Sequence, residues 1–191
     1  MYFLPTTTQA NDLFRYYDGA FTEEECQKII ALGKNFSQGL IGDSDEGKPT
    51  LFTNTRNSLV DWISWSEEND WIFKKLSEII TDVNSAFWGF HLKGFFEPLQ
   101  ITKYEENGFY NWHQDSGNGP FSIRKLSVIV QLTPEKEYEG GEVEIMPPKQ
   151  LLPKKQGTVI VFPSYQCHRV LPVTKGIRHS LVAWISGEPY R

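Results

Sequence analysis

The chain of 191 residues is poor in sulfur and in histidine: two cysteines, two methionines and four histidines. Cysteines as far apart as Cys26 and Cys167 argue against the disulfide framework that staples small secreted domains, and suit a reducing compartment. Each reads as a small buried apolar residue. No window approaches the ~18 apolar residues needed to cross a bilayer. The opening "MYFLPTTTQANDLF" lacks the basic start and continuous apolar stretch of a secretory leader, so a cytoplasmic location is expected. Positive charge is not in excess either: 19 Lys and Arg against 24 Asp and Glu leave a formal charge of −5. That balance offers no footprint for nucleic acid or an anionic membrane, and neither is expected as a partner. Nothing in the sequence fixes an oligomeric state.

What is present suffices for one sizeable core, with 39% hydrophobic and 14% aromatic residues. A single domain over 1–191 is expected, with 1–98 supplying N-terminal helices and supporting strands and 99–187 the β-core. "TEEECQKIIALG" carries a helix signal. Thr22 can cap it, Glu25 completes a capping box, and Gly33 can end it. Cys26, Ile29, Ile30 and Leu32 form its apolar face. The stretch from Asn35 to Thr50 is rich in Gly, Ser and Asp and reads as a long loop able to act as a lid. A strand and then a helix over about 70–86 follow, with Trp71, Leu76, Ile79, Ile80 and Val83 at near-helical spacing.

From Leu99 the texture changes. "LQITKYEE", "KLSVIVQLT", "GEVEIM", "GTVIVFP" and "HSLVAWISG" are short β-rich runs parted by turn signals. Such spacing predicts a mainly β fold of the α+β class: a sandwich or jelly roll whose two sheets enclose a cavity, under an N-terminal helical layer. Val128, Val130, Leu181 and Ala183 are expected to form its inward-facing wall. Gly140 and Gly141 are expected to turn one strand into the next beside the site.

Two of the four histidines fall where chemistry is possible. In "YNWHQDS", His113 and Asp115 are two residues apart, so a strand or strand end presents imidazole and carboxylate together. His168 follows the apolar run "GTVIVFPSYQ" at another strand terminus. Alone, a His-x-Asp is as readily a hydrogen-bonded pair as a ligand pair. With His168 it completes two imidazoles and a carboxylate, which cover one face of an octahedral metal and suit non-haem Fe(II) oxygenases. An iron that activates O2 at the expense of an organic acid needs an anchor for that acid. Arg178 and Ser180, on one face of a strand that returns to the level of His168, can supply it.

The pattern His113-x-Asp115, His168, Arg178-x-Ser180 resembles the 2-oxoglutarate- and Fe(II)-dependent oxygenases, and most of all the prolyl 4-hydroxylase-like, PKHD-type branch. "YEENGFYNWHQD", "RKLSVIVQLTPEKEYEGGEVEI" and "GTVIVFPSYQCHRVLPVTKGIRHSLVAWISG" carry the resemblance. It implies a double-stranded β-helix core, with iron on His113, Asp115 and His168. It also implies that Arg178 binds the distal carboxylate of 2-oxoglutarate, helped by Ser180 and Tyr104. His113, Asp115, His168 and Arg178 are then the catalytic set, the cofactors are Fe(II), 2-oxoglutarate and O2, and ascorbate is an admissible reductant. Hydroxylation of an aliphatic C–H is implied, in a prolyl residue of a protein or peptide, or alternatively in a free amino acid or other small metabolite.

Readings from other classes fit less well. A non-catalytic jelly-roll binding module would lack a ligand or the anchor, and here all are present. A zinc hydrolase on the same triad leaves Arg178 and Ser180 without a task. His179 points to the opposite strand face, His91 has no partner at ligand spacing, and Trp62, Trp65, Trp71 and Trp88 are expected between helices and sheet. Asn111, Trp112, Arg56, Asn57 and Arg124 are candidates to reach the cavity or its mouth.

Overall fold

Thr22 opens the first helix as the sequence requires: its hydroxyl accepts from the Glu25 amide and the Glu25 carboxylate accepts from the Thr22 amide. The computed structural model describes residues 13–40 and 54–189. In sequence order the elements are β1 (Arg15–Tyr17), α1 (Glu23–Leu32), β2 (Ser37–Gln38), β3 (Arg56–Asn57), β4 (Leu59–Ile63) and α2 (Asp70–Val83). Then come β5 (Leu92–Phe95), β6 (Leu99–Tyr104), β7 (Phe109–His113), β8 (Arg124–Gln131), β9 (Tyr138–Gly140) and β10 (Val143–Met146). The last are β11 (Gln150–Leu151), β12 (Val159–Pro163), β13 (Cys167–Val170), β14 (Val173–Gly176) and β15 (Arg178–Gly187).

These strands make two main sheets. The larger runs β1-β12-β8-β15-β6-β4-β2, with β5 pairing the far end of β15, and the smaller runs β11-β10-β13-β7-β3. β14 and β9 form a separate two-stranded antiparallel sheet. All pairings are antiparallel, giving the jelly roll expected from the short β-rich runs. All eight residues of β8 are buried. The two helices cover one face of the large sheet, and the small sheet covers the other.

Two cores result. Leu76, Ile80 and Val83 of α2 and Cys26 and Ile29 of α1 pack with Leu126, Val128, Val130, Leu181, Ala183 and Ile185. Tyr104, Ile129, Val143, Ile145, Ile160, Phe162 and Val170 pack between the sheets. Val128, Val130, Leu181 and Ala183 are thus buried as expected, but beneath the helices and not along the inter-sheet cavity. A strand covered on both faces has no solvent-facing side to set its parity.

Other local expectations are corrected by packing. Leu32 is exposed, leaving Cys26 and Ile29 as the buried residues of α1. Gly33 ends that helix at φ −75°, so it is not there for a left-handed turn. A Cβ on it would stand 2.6 Å from Phe36 Cζ, so close packing is its reason. Helix α2 also buries Ile72 and Phe73, and a π-helical turn over Asn84–Trp88 follows it. Trp62 and Trp65 are exposed at 46% and 60%, and Cys167 is only partly buried. Of the loop from Asn35 to Thr50, residues 37–38 form strand β2, while 41–50 lie outside the described residues. Among the described residues no helix is long and apolar enough to cross a membrane.

Candidate metal centre

The small sheet places the two histidines face to face: His113 ends β7 and pairs in register with His168 of β13. Their ring centroids lie 4.1 Å apart. Asp115 lies just beyond β7, so strand alternation alone does not hold it. Its amide, and that of Ser116, donates to the Ser164 carbonyl at 2.9 Å, just past β12 of the large sheet. Its Oδ2 accepts from Ser127 Oγ of β8 at 2.6 Å, and Ser127 in turn shares a hydrogen bond with Ser164 Oγ at 3.0 Å. The carboxylate is therefore held by the large sheet and the imidazoles by the small one.

The three side groups converge. Asp115 Oδ1 is 3.7 Å from His113 Nε2, Asp115 Oδ2 is 3.7 Å from His168 Nε2, and one ligand atom from each residue lies within 4.8 Å of the others. Both imidazoles are oriented by the same local device. His113 Nδ1 meets the Asn111 carbonyl at 2.7 Å and His168 Nδ1 meets the Gln166 carbonyl at 3.0 Å. A carbonyl only accepts, so the proton sits on Nδ1 and each Nε2 lone pair faces the common point, the tautomer metal binding needs. Burial, then the neighbouring His168, depresses His113 to about 3, against the pull of Asp115. Burial alone would raise the Asp115 carboxyl, but the two imidazoles, Arg124 and the Ser127 hydroxyl outweigh it and hold the acid below its usual range. Two neutral nitrogens and one anionic oxygen on a single face suit a divalent ion such as Fe(II), with open positions left for other ligands.

Packing fixes the rings further. Tyr110 stacks on His113 with centroids 3.5 Å apart and planes 12° from parallel. Phe162 meets His168 edge-on at 4.7 Å. Arg124 donates to the Asp115 carbonyl at 3.2 Å, lies 3.9 Å over the Trp184 ring, and pairs through both its Nε and Nη2 with the Glu97 carboxylate.

Arg178, the first residue of β15, is 1% exposed. Its Nη2 donates to Gln131 Oε1 at 2.9 Å and its Nη1 reaches Ser180 Oγ at 3.4 Å. Tyr138 also shares a hydrogen bond with it, and its Nε has no partner. No carboxylate among the described residues pairs with it. Tyr104, its cross-strand partner, is buried and presents its ring 5.3 Å from the guanidinium carbon. A buried cation with only neutral partners and an idle N–H is the expected form of an anion site.

The remaining sequence candidates divide. Arg56 and Arg124 are buried and face this interior, whereas Asn57 binds the Asn107 carbonyl at the surface. Asn111 is exposed and donates to the Asn54 carbonyl. Trp112 packs beneath Arg169 on the outer side of β7, because alternation sends it away from His113. His179 lies opposite the Arg178 face, with Nδ1 3.3 Å from Thr133 Oγ1. His91 is exposed. Gly140 and Gly141 do form a turn, yet it sits beside Arg178: a Cβ on Gly141 would stand 3.0 Å from Arg178 Cδ. Sequence reasoning missed Tyr110, Tyr138, Ser127, Gln131 and Ser164. Ser127 and Gln131 carried a signal, as polar residues four apart in the apolar run "SVIVQ".

Residues 99–186 match the family model described as the 2OG-Fe(II) oxygenase superfamily. A PKHD-type hydroxylase of Synechococcus sp. (strain CC9311) is 37% identical over 116 residues, covering 56% of this chain and 53% of the relative. One from Alteromonas mediterranea is 36% identical over 96 residues, covering 46% and 42%. The chain spans about half the length of the curated relatives it matches. Among solved structures, a Pseudomonas putida prolyl-4-hydroxylase superposes with TM-score 0.70 at 18% identity, covering 94% of this chain and 95% of that one. The viral collagen prolyl hydroxylase of Paramecium Bursaria Chlorella virus-1 gives 0.68 at 22%, covering 94% and 99%. A Trichoplax adhaerens prolyl hydroxylase, in complex with a hypoxia inducible factor peptide fragment, gives 0.73 at 17%, covering 93% and 84%. At those identities the structural likeness speaks for the fold.

Proposed function

We propose that this chain, whose residues 99–186 match the 2OG-Fe(II) oxygenase superfamily model, is a hydroxylase of an aliphatic C–H in a prolyl residue of a protein or peptide. The reading is carried by one observation. Three oriented ligands share an interior with a buried Arg178 that lacks an anionic partner among the described residues. The curated relatives are named PKHD-type hydroxylases, which supports the hydroxylase reading.

Fe(II), 2-oxoglutarate and O2, when bound, supply the oxidising chemistry that inserts one oxygen atom into the C–H bond, with succinate and CO2 as co-products. In this reading His113, Asp115 and His168 hold the metal by two Nε2 atoms and a carboxylate oxygen. Asn111 and Gln166 carbonyls fix the two tautomers, and Ser127 fixes the Asp115 carboxylate. Arg178, with Ser180 and the Tyr104 hydroxyl, receives the distal carboxylate of 2-oxoglutarate. Gln131 pre-orients the guanidinium for it. The apolar packing of Phe162, Ile160 and Val170 keeps water from the interior. Ascorbate would serve as a reductant outside the main cycle.

Succinate release from 2-oxoglutarate, with and without Fe(II), tests the class. Iron-dependent release by the native protein, absent in His113→Ala and Asp115→Ala, is expected. Arg178→Ala should raise the KM for 2-oxoglutarate by about 100-fold, the loss of a buried charge-assisted pair. Turnover that persists in both ligand variants removes them from the metal, and an unchanged KM removes Arg178 from the co-substrate.

A further inference from the structure

A second guanidinium lies buried in the same interior, and nothing in the proposed chemistry employs it. Arg56 of β3 is 6% exposed. It pairs in register with Tyr110 of β7, and its guanidinium carbon lies 4.7 Å over the Tyr110 ring, whose plane stacks on His113. One aromatic ring thus separates Arg56 from a metal-ligand candidate.

Its setting is built. Nε donates to Ser58 Oγ at 2.7 Å, Nη2 to Gln100 Oε1 at 3.0 Å, and Nη1 reaches the Leu40 carbonyl at 3.4 Å. Gln100 is turned oxygen-first by Thr102, whose hydroxyl donates to the same Oε1 at 3.1 Å. The backbone closes on the group: a Cβ on Gly39 would stand 2.6 Å from Arg56 Nε. Every one of these acceptors is neutral. They occupy three of the five N–H donors a guanidinium carries. Among the described residues no carboxylate lies within ion-pair distance, whereas Arg124, equally buried, has Glu97.

Charge decides what is missing. On the oxygenase reading, a divalent metal and Arg178 are balanced by Asp115 and the two carboxylates of 2-oxoglutarate, and both imidazoles are neutral. Arg56 is left over. A buried cation with neutral partners is costly to keep, and an anion brought by a ligand relieves that cost.

We propose that Arg56 receives a carboxylate of the primary substrate, so that the substrate class is one with an anionic group close to the oxidised carbon. The carboxylate comes from an acidic residue flanking the target in a peptide, from the C-terminus of a peptide, or from a free amino acid. The inference rests on the oxygenase reading above and specifies the charge its substrate carries.

The test uses Xaa-Pro peptides, N-acetyl amino acids and free amino acids, each supplied as the carboxylate and as its amide. Substrate-stimulated succinate release and a one-oxygen mass gain are read with the native protein, Arg56→Gln and Arg56→Lys. The native protein should prefer acid over amide by ~30-fold in kcat/KM, the worth of a hydrogen-bonded charge. In Arg56→Gln that ratio should fall to within about threefold, and in Arg56→Lys much of it should return. A structural role would instead lower acid and amide alike and preserve the ratio, which overturns the proposal. So does a native protein that turns over both forms equally. So does a native protein that no carboxylate member stimulates while its uncoupled, iron-dependent succinate release persists, and there the oxygenase reading stands. Absence of any iron-dependent release overturns the oxygenase reading itself. Which members respond tells a peptide's acidic residue from its C-terminus and from a free amino acid.

Discussion

At the scale of single residues, the centre depends on groups that never touch the reacting atoms. Ser127 Oγ holds Asp115 Oδ2 at 2.6 Å, and Ser127→Ala removes that donor without opening a cavity of note. Partners of metal-ligating groups are typically worth ~10–100-fold in metal affinity. Ser127→Ala should therefore weaken Fe(II) binding by about that factor, measured by anaerobic titration, with little change in the thermal midpoint. The ligand candidates were legible in the sequence because His113-x-Asp115, His168 and Arg178-x-Ser180 follow one another at strand ends in an order that resembles a known family. Ser127, Gln131 and Ser164 were harder to place. Ser127 and Gln131 share one face of a doubly buried strand, but which groups that face meets depends on how the two sheets pack.

At the scale of elements, the turn between β9 and β10 shapes the Arg178 pocket. Gly141 has φ +67°, and a Cβ there would meet Val173 Cγ2 at 2.9 Å and Arg178 Cδ at 3.0 Å. Gly141→Ala should cost about 1–3 kcal/mol of stability through backbone strain and overpacking. Because the added methyl presses on Arg178, it should also raise the KM for 2-oxoglutarate several-fold. Gly19→Ala is the control: φ is +65° with open space around the added atom, so it should lower stability and leave that KM unaltered. The strands were readable from β-branched runs bounded by Gly, Pro and Asn, and α1 from its capping box. The wall assignment of Val128, Val130, Leu181 and Ala183 failed for a physical reason. With helices on one side of the large sheet and the small sheet on the other, β8 and β15 are buried on both faces, so burial alone does not say which face lines the cavity. The exposure of Trp62 and Trp65 has no local sequence signal either, since it depends on where the sheet edge falls.

At the scale of the whole molecule, acid should loosen the fold through His179. Burial first, then the positive charges of Lys103 and Arg178, lower its pKa to about 4 from the ordinary 6.5. Between those values the unfolded protein binds the proton and the folded one does not, so stability rises with pH across that window. The contribution is complete above ~6.5 and is lost as the pH falls through ~4. His179→Gln should flatten the denaturant-midpoint curve between pH 6.5 and 4 relative to the native protein. Equal slopes would show that His179 titrates normally.

The division of the triad, with imidazoles on one sheet and the carboxylate tethered to the other, has a mechanical corollary. An ion seated there rivets the two leaves of the jelly roll together. Ferrous ion under anaerobic conditions should then raise the thermal midpoint, by an amount that grows with its concentration, and a chelator should reverse the gain. Prising the leaves apart and losing the ion become a single event, so iron content doubles as a gauge of whether the sandwich is shut.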